Sequence, residues 1–386
     1  MSKLNFIDLF AGAGGLSEGF IRAGFEPIAH VEMNSEACNT LRTRVAFHYL
    51  KESGQIEVYY NYLKGTITRK QLWASIPKDL IDSVINTEIS EDTIPSIFEK
   101  IDYQLQNQEV HLVIGGPPCQ AYSVAGRARD PKGMEDDPRN HLYKHYVKFL
   151  EKYKPKMFVF ENVPGMLSAK NGEYFEKIKA AIRASKYKFD FKILNSKDFG
   201  VLQDRKRVII IGWKEDLELS FPEFNVKETN AKILKDLFAD LPKLKNGEGT
   251  LGISKYIKPT SSYLEKTQIR NCIDFTTQHI ARPNNSTDLE IYKIAVEQWN
   301  KKRKRLDYST LPSHLIKHSN TSSFTNRFQV VDGEAISHTV VAHIAMDGHY
   351  YIHPDIEQNR SITVREAARI QSFPDDFYFE SSRTAA

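Results

Sequence analysis

Short apolar segments alternate with helical segments through the first half of this 386-residue chain. Such alternation is typical of a mostly parallel β-sheet that is covered by helices. The predicted strands span residues 4–10, 27–31, 111–114, 157–160 and 208–211. Ligands bind at the carboxyl ends of the strands in sheets of this kind. The sequence therefore predicts an α/β fold whose functional residues follow the ends of these strands.

The second half of the chain has a different character. From about residue 214 the alternation fades, loop-rich segments appear, and an amphipathic stretch leads into the basic run 301–305. A change of this kind indicates a domain boundary. We therefore expect a first domain at residues 1–215, a second, smaller domain at 216–335 and a C-terminal segment at 336–386.

The cysteines limit the class of protein. The chain has three, Cys38, Cys119 and Cys272, and no CxxC pair. Neither a disulfide framework nor a metal site is expected, which fits a reducing cytoplasm. No apolar segment has the length of a signal peptide or a membrane span, so we expect no membrane association. The formal net charge is only +4, so a nucleic-acid partner has to be argued from local features.

A glycine-rich turn follows the first predicted strand. Its sequence from Phe10 to Gly15 is Phe-Ala-Gly-Ala-Gly-Gly, and such a turn lets the backbone approach a nucleotide-like ligand closely. The spacing is not GxGxxG and no Walker lysine follows, which argues against NAD and ATP. Glu32 ends the next predicted strand, where its carboxylate can accept hydrogen bonds from a ribose diol. Taken alone, these residues also fit a tight turn followed by a surface glutamate.

A second turn, Gly115-Gly116-Pro117-Pro118-Cys119, follows the third predicted strand. Its glycines and prolines direct the chain sharply off the strand and then present a thiol. A cysteine at an arbitrary position is more often an inert buried residue, but this context favours a nucleophile. The next residues, 120–140, are predicted to form a polar loop that closes over a substrate.

Charged residues accompany the last two predicted strands. Glu161 directly follows one strand, and it either faces the same cleft as Cys119 or caps a helix. The run Gln-Asp-Arg-Lys-Arg, which contains Arg205 and Arg207, precedes the other. Its cations can grip phosphates or orient a pyrimidine carbonyl. The alternative for such a run is a solvated strand entry.

Together these segments resemble the cytosine carbon-5 DNA methyltransferase family of restriction–modification systems. The matching motifs, in family order, are Phe-x-Asp-Leu-Phe-Ala-Gly-x-Gly-Gly, Pro-Pro-Cys-Gln, Glu-Asn-Val, Gln-x-Arg-x-Arg and Arg-Glu-Ala-Ala-Arg-Ile-Gln-Ser-Phe-Pro. They span residues 6–374, and chance agreement at that level is negligible. The stretch between the last two motifs lies where the family keeps its target-recognition domain.

The resemblance implies a Rossmann-like methyltransferase domain, dependent on S-adenosylmethionine (AdoMet), with a smaller target-recognition domain. The expected reaction moves a methyl group from AdoMet to carbon 5 of a cytosine flipped out of double-stranded DNA, leaving S-adenosylhomocysteine. By resemblance, Cys119 adds to carbon 6 and Glu161 assists ring nitrogen 3. Arg205 then binds the carbonyl at position 2, and Arg207 supports the site. The expected cofactor contacts are Asp8, Phe10, Gly12, Gly14, Gly15, Glu32, Met33, Glu88 and Pro118.

The chain departs from the family pattern in two places. The acidic residue expected after a third strand has Glu88 as its nearest candidate, beyond a helical elaboration at residues 33–87. The Gly-Asn-(Ser/Ala)-Val segment that normally ends the family is not found before Ala386. Because that segment closes one wall of the cofactor pocket in the family, the sequence alone predicts weak AdoMet binding and weak methylation.

Two other functions remain open at this point. One is a tRNA cytosine-5 methyltransferase, although the tRNA-type members have a smaller recognition region than residues 216–335. The other is an inactive or incomplete DNA-binding fragment, which the intact Cys119, Glu161 and Arg205 oppose. A nicotinamide oxidoreductase leaves the Pro-Pro-Cys-Gln turn unexplained. We further expect a monomer in the bacterial cytoplasm, near the nucleoid, that protects the site of a cognate restriction endonuclease.

Overall fold

The computed structural model of the protein describes residues 3–118, 141–271, 273–316, 327–345 and 348–381. The described strands are β1 (Asn5–Leu9), β2 (Glu26–Glu32), β3 (Val84–Asn86), β4 (Leu112–Gly115), β5 (Met157–Asn162), β6 (Tyr187–Asn195), β7 (Gln203–Asp204), β8 (Lys206–Lys214), β9 (Gly249–Lys255), β10 (Phe275–Ile280) and β11 (Ser337–His338). One sheet has the strand order β3-β2-β1-β4-β5-β8-β6. Its first five strands run parallel, whereas β8 runs antiparallel to β5 and β6. The predicted parallel α/β sheet is confirmed.

The middle of this sheet is buried. Every residue of β1 and β4 is buried, as expected for parallel strands with helices on both faces. The apolar segments of the sequence coincide with β1, β2, β4, β5 and β8. The strands β3 and β6 are absent from the prediction for two reasons. The first has only three residues, and the second lies at the sheet edge, where polar and apolar residues alternate.

Helices follow the strands along the chain. Those described before residue 190 are α1 (Gly15–Arg22), α2 (Ser35–Glu52), α3 (Ile56–Leu63), α4 (Arg69–Ala74), α5 (Lys78–Asp82), α6 (Ile94–Leu105), α7 (Leu142–Tyr153) and α8 (Glu173–Ala184). Helix α1 begins at the glycine-rich turn. Helix α2 begins after Asn34, whose side chain accepts hydrogen bonds from the backbone of Glu36 and Ala37. Helices α2 to α5 and the strand β3 lie within the interval 33–87, and β3 pairs with β2 at one edge of the sheet.

Contacts within the chain divide it into two units. The first consists of Met1–Tyr59, Arg69–Asn195 and Lys206–Asn225, and it contains the seven-stranded sheet. The second consists of Tyr60–Thr68, Ser196–Arg205 and Val226–Ala386. Its last segment contains the helices α9 (Ser262–Lys266), α10 (Ser286–Lys302) and α11 (Val364–Ile370). In this unit β9 pairs antiparallel with β10, and β7 pairs parallel with β11. The amphipathic stretch of the sequence corresponds to α10, which buries Ile291, Tyr292, Ala295 and Val296.

Charged side chains lie in the core of the second unit. The guanidinium of Arg369 on α11 is fully buried and pairs with two buried carboxylates, at 2.6 Å from Asp240 and 2.5 Å from Asp375. Its Nη1 also donates to the backbone carbonyl of Leu237 at 2.6 Å. Such a network is directional, so it sets the position of α11 as well as neutralising the buried charges. In the part of the chain that the structure describes, no helix combines the length and the apolar composition needed to cross a bilayer.

Candidate functional site

The glycine-rich turn lies at the carboxyl end of β1, in the first unit. Gly12 and Gly14 have positive φ angles of 54° and 85°, a conformation that glycine adopts without strain. A Cβ atom on Gly14 would lie 2.7 Å from Cδ2 of Leu41 on α2, so this position is also sterically restricted. Phe10 has a φ of 56°, which is uncommon for a residue with a side chain. The turn therefore holds an unusual backbone path between β1 and α1.

Glu32, the last residue of β2, connects this turn with the next loop. Its Oε2 accepts a hydrogen bond from the Gly12 N–H at 2.9 Å, and its Oε1 accepts one from the Asn34 N–H at 2.8 Å. A carboxylate oxygen has a second lone pair, so both oxygens can still accept from a ligand hydroxyl. Met33, the next residue, has an exposed side chain, and its carbonyl accepts from the Asn86 side chain at 2.9 Å.

Asp8 is a buried carboxyl group on β1, two residues before the turn begins at Phe10. It is 1% exposed, and in the described part of the chain no group forms a hydrogen bond with its Oδ2. Burial, together with the nearby Glu32 carboxylate, raises the pKa of Asp8 well above its usual range. The protein thus keeps two acidic groups close together at this strand end, and one oxygen of Asp8 accepts no hydrogen bond from the described residues.

The remaining predicted cofactor residues follow neighbouring strands. Gly15 begins α1, Glu88 is an exposed residue two positions after β3, and Pro118 is an exposed residue three positions after β4. Because β3, β2, β1 and β4 are parallel neighbours, their carboxyl ends meet at one edge of the sheet. The groups at that edge are a glycine turn and two carboxyl groups. They fit a ligand that carries both a sugar diol and positive charge.

A second group of side chains surrounds the turn that leads to Cys119. A Cβ atom on Gly116 would lie 2.8 Å from Oε2 and 3.1 Å from the backbone carbonyl oxygen of Glu161, so a larger residue here would displace the carboxylate. The Arg207 Nε lies 2.6 Å from Oε1 of the same carboxylate. The Asn162 side chain donates to the carbonyl of Pro117 at 3.3 Å. Cys119 itself, like the predicted loop at 120–140, lies outside the described residues.

Arg205 belongs to the second unit. Its Nη1 donates to the carbonyl of Val340 at 3.0 Å, and its own carbonyl accepts from the Ser196 N–H at 3.0 Å. The two residues before Arg205 form β7, which pairs with β11. Because β8 begins at Lys206, Arg205 has a strand directly before it and another directly after it.

Two asparagines contribute to these groups without having been predicted as site residues. Asn162 holds the Pro117 carbonyl, and Asn86 holds the carbonyls of Glu32 and Met33. Each is the last residue of a parallel strand, β5 or β3. A polar residue at that position is the signal that could have identified them, because strand ends carry the ligand-binding residues in such sheets.

Comparison with known proteins gives a family match and two similar relatives. The sequence model of the family described as C-5 cytosine-specific DNA methylase matches residues 4–64 and 78–386. The chain is 40% identical to the type II methyltransferase M.Bpa9945I of Bacillus paralicheniformis, over 98% of the chain and 93% of that relative. It is 31% identical to the type II methyltransferase M1.HphI of Haemophilus parahaemolyticus, over 99% of the chain and 81% of that relative.

One solved structure is similar over nearly its whole length. It is described as a DNA modification methyltransferase encoded within a prophage of E. coli, and it matches with a TM-score of 0.61 at 23% sequence identity. The match covers 99% of this chain and 92% of that one. At this level of identity the likeness concerns the fold, and it confirms the Rossmann-like prediction.

Proposed function

Because the chain belongs to the C-5 cytosine-specific DNA methylase family, we propose that it methylates carbon 5 of a cytosine within a specific sequence of double-stranded DNA. The names of its relatives support a place in a type II restriction–modification system. In this proposal residues 1–215 catalyse, 216–335 read the bases and 336–386 return to the catalytic domain. The enzyme acts as a monomer, and a separate endonuclease cleaves the same site.

The observation that carries this proposal is the position of the Glu161 carboxylate. It lies against Gly116, three residues before Cys119, and Arg207 holds it at 2.6 Å. Attack on a pyrimidine needs a nucleophile for carbon 6 and a hydrogen-bonding partner for ring nitrogen 3. In this proposal the Cys119 thiol supplies the first, and the Glu161 carboxyl group beside Gly116 supplies the second.

The reaction begins with a cytosine flipped out of the stack, because carbon 6 is inaccessible inside a duplex. The Cys119 thiolate adds to carbon 6, and the electron pair of the ring double bond makes carbon 5 nucleophilic. Glu161 meets the charge that develops at ring nitrogen 3, and Arg205 donates to the carbonyl at position 2. When bound, AdoMet supplies the methyl group that carbon 5 takes up. A base then removes the carbon-5 proton, the double bond re-forms, and the bond to Cys119 breaks.

We propose that the edge formed by the ends of β1 to β4 holds AdoMet. The positive φ angles at Gly12 and Gly14 let the turn curve closely around the ligand. In this proposal the Glu32 carboxylate accepts from the ribose hydroxyls, and the ionised form of Asp8 balances positive charge on the methionine part. The other residues proposed to contact the cofactor are Phe10, Gly15, Met33, Glu88 and Pro118.

Asp8 makes AdoMet binding dependent on pH. Its raised pKa means that the free protein carries a proton there at pH values where an ordinary aspartate is ionised. A ligand with sulfonium and ammonium charges favours the ionised form, so binding releases the proton and the affinity increases as the pH rises. We expect Asp8→Asn to remove this dependence and to weaken binding by about 10-fold at the alkaline end. Titration calorimetry in two buffers of different ionisation enthalpy measures both the affinity for AdoMet and the number of protons released on binding.

Thermal unfolding provides the control for Asp8. A carboxyl group whose pKa is raised on folding contributes stability at low pH, and that contribution is lost as the pH rises through the folded value. Asp8→Asn should therefore increase the melting temperature of the unliganded protein at pH 8 while it weakens AdoMet binding. An unchanged pH dependence of binding in this variant would show that Asp8 does not respond to the cofactor.

Bisulfite sequencing tests the proposed function directly. Unmethylated plasmid DNA and unmodified tRNA are incubated in parallel with the purified protein and AdoMet. We expect protected cytosines in the DNA at one recurring sequence and none in the tRNA. Protection confined to tRNA, or methylation of the DNA at an atom other than carbon 5 of cytosine, would overturn the proposal.

A further inference from the structure

A buried ion pair joins the two helices that follow the proposed cofactor loops. Glu18 lies on α1, and its Oε2 and Oε1 accept from Nε and Nη2 of Arg44 on α2 at 2.8 and 2.6 Å. Each of the two side chains is 8% exposed. Burial would raise the pKa of Glu18, but the Arg44 and His48 side chains outweigh it and hold that pKa well below its usual range.

The surroundings of this pair keep its geometry defined. The His48 Nε2 lies 3.0 Å from Oε2 of Glu18, one helical turn beyond Arg44 on the same helix. The Arg44 guanidinium lies over the ring of Phe47, 3.8 Å from its centroid. Two parallel N–H···O bonds between planar groups fix direction as well as distance, which an apolar contact between helices does not do.

Both helices connect directly to the residues that we assign to the cofactor. The Glu18 N–H donates to the carbonyl of Gly14 at 2.8 Å, so the ion pair lies one turn from the glycine-rich loop. Leu41, one turn before Arg44, contacts the same glycine. At its other end, α2 begins at Ser35, directly after Asn34, whose N–H donates to the Glu32 carboxylate at 2.8 Å. Movement of α1 along α2 would therefore change the position of the glycine turn relative to Glu32.

We propose that the Glu18–Arg44 pair is a positioning element for the cofactor, which holds the glycine-rich turn and Glu32 at the separation that AdoMet requires. This inference rests on the proposed function, because it assumes that the ligand of the two loops is AdoMet. A buried ion pair is often no more stabilising than apolar residues of similar volume. What it adds here is a fixed register between the two helices.

Substitutions that keep the packing but remove the two directional hydrogen bonds test this role. The double variant Glu18→Met/Arg44→Met replaces the pair by apolar side chains, and Arg44→Lys keeps the charge without the bidentate geometry. We expect the dissociation constant of AdoMet to increase about 10- to 100-fold in the double variant and less in Arg44→Lys. The loss should appear in the dissociation constant and in KM for AdoMet, with a smaller change in kcat at saturating AdoMet. Lys78→Ala, which breaks an exposed ion pair on α5, is the matched control.

The outcomes separate positioning from stability and from the proposed function. If the double variant binds AdoMet as tightly as the wild type, the pair serves packing alone and the inference is wrong. If its melting temperature falls in proportion to the loss of binding, the role is structural and the inference is again wrong. If the wild-type protein binds neither AdoMet nor S-adenosylhomocysteine, the assignment of AdoMet as the cofactor is wrong, and so is the inference that rests on it.

Discussion

Replacement of Cys119, the proposed nucleophile, by alanine is expected to lower the rate of methyl transfer by roughly 10,000-fold or more, because addition of the thiolate to carbon 6 is the step that makes carbon 5 nucleophilic. The structure around the preceding residues supports this expectation. Gly116 packs against Glu161, and Asn162 holds the Pro117 carbonyl, so the described residues of this turn lie beside a carboxyl group. The rate with saturating DNA and AdoMet is the measurement, and calorimetry should show that AdoMet still binds.

A DNA duplex that carries 5-fluorocytosine at the target gives the second measurement for Cys119. Fluorine does not leave carbon 5 as a proton does, so the covalent adduct should persist and be visible as a shifted band on a denaturing gel. Cys38→Ala is the matched control, because burial raises the pKa of the Cys38 thiol to about 11 and keeps it protonated. This variant should form the adduct normally. An adduct that survives in Cys119→Ala would assign the nucleophile to another residue.

The second large effect concerns stability. Arg369→Met should lower the free energy of unfolding of the second unit by about 3–5 kcal/mol, because it leaves the buried Asp240 and Asp375 carboxylates without their main cation. Burial would raise the pKa of Asp375, but Arg369 and Arg365 lower it below the usual value. The contribution of Asp375 is therefore present above the usual carboxyl pKa and is lost as the pH falls. Urea denaturation followed by circular dichroism measures the change.

A surface substitution provides the comparison for Arg369. Lys243 lies 3.2 Å from Asp355 and 3.1 Å from Glu357, but its side chain is 63% exposed, so Lys243→Met should change stability little. The double variant Arg369→Met/Asp375→Leu should recover part of the loss, because it removes one of the uncompensated charges. Equal stability of Arg369→Met and the wild type would mean that the buried network contributes nothing to folding.

The local signals in the sequence determined the sheet and the order of its motifs. Continuous apolar segments such as 112–114 mark buried parallel strands, and glycines and prolines follow this one at 115–118, because sharp turns at strand ends favour those residue types. Glu32 could be placed at the end of β2 in this way. The short strand β3 could not, because three residues carry too little periodicity to distinguish a strand from a loop.

Contacts between distant residues were decided only by the tertiary structure. The Gly116–Glu161 approach depends on the pairing of β4 with β5, and the Glu18–Arg44 pair depends on how α1 packs against α2. Arg205 and Arg207 belong to different units although one residue separates them, which no pattern in the run itself indicates. The physical reason is that a side chain's type limits the partners it can accept, whereas strand order and helix packing, which are set by burial over the whole chain, select the partner.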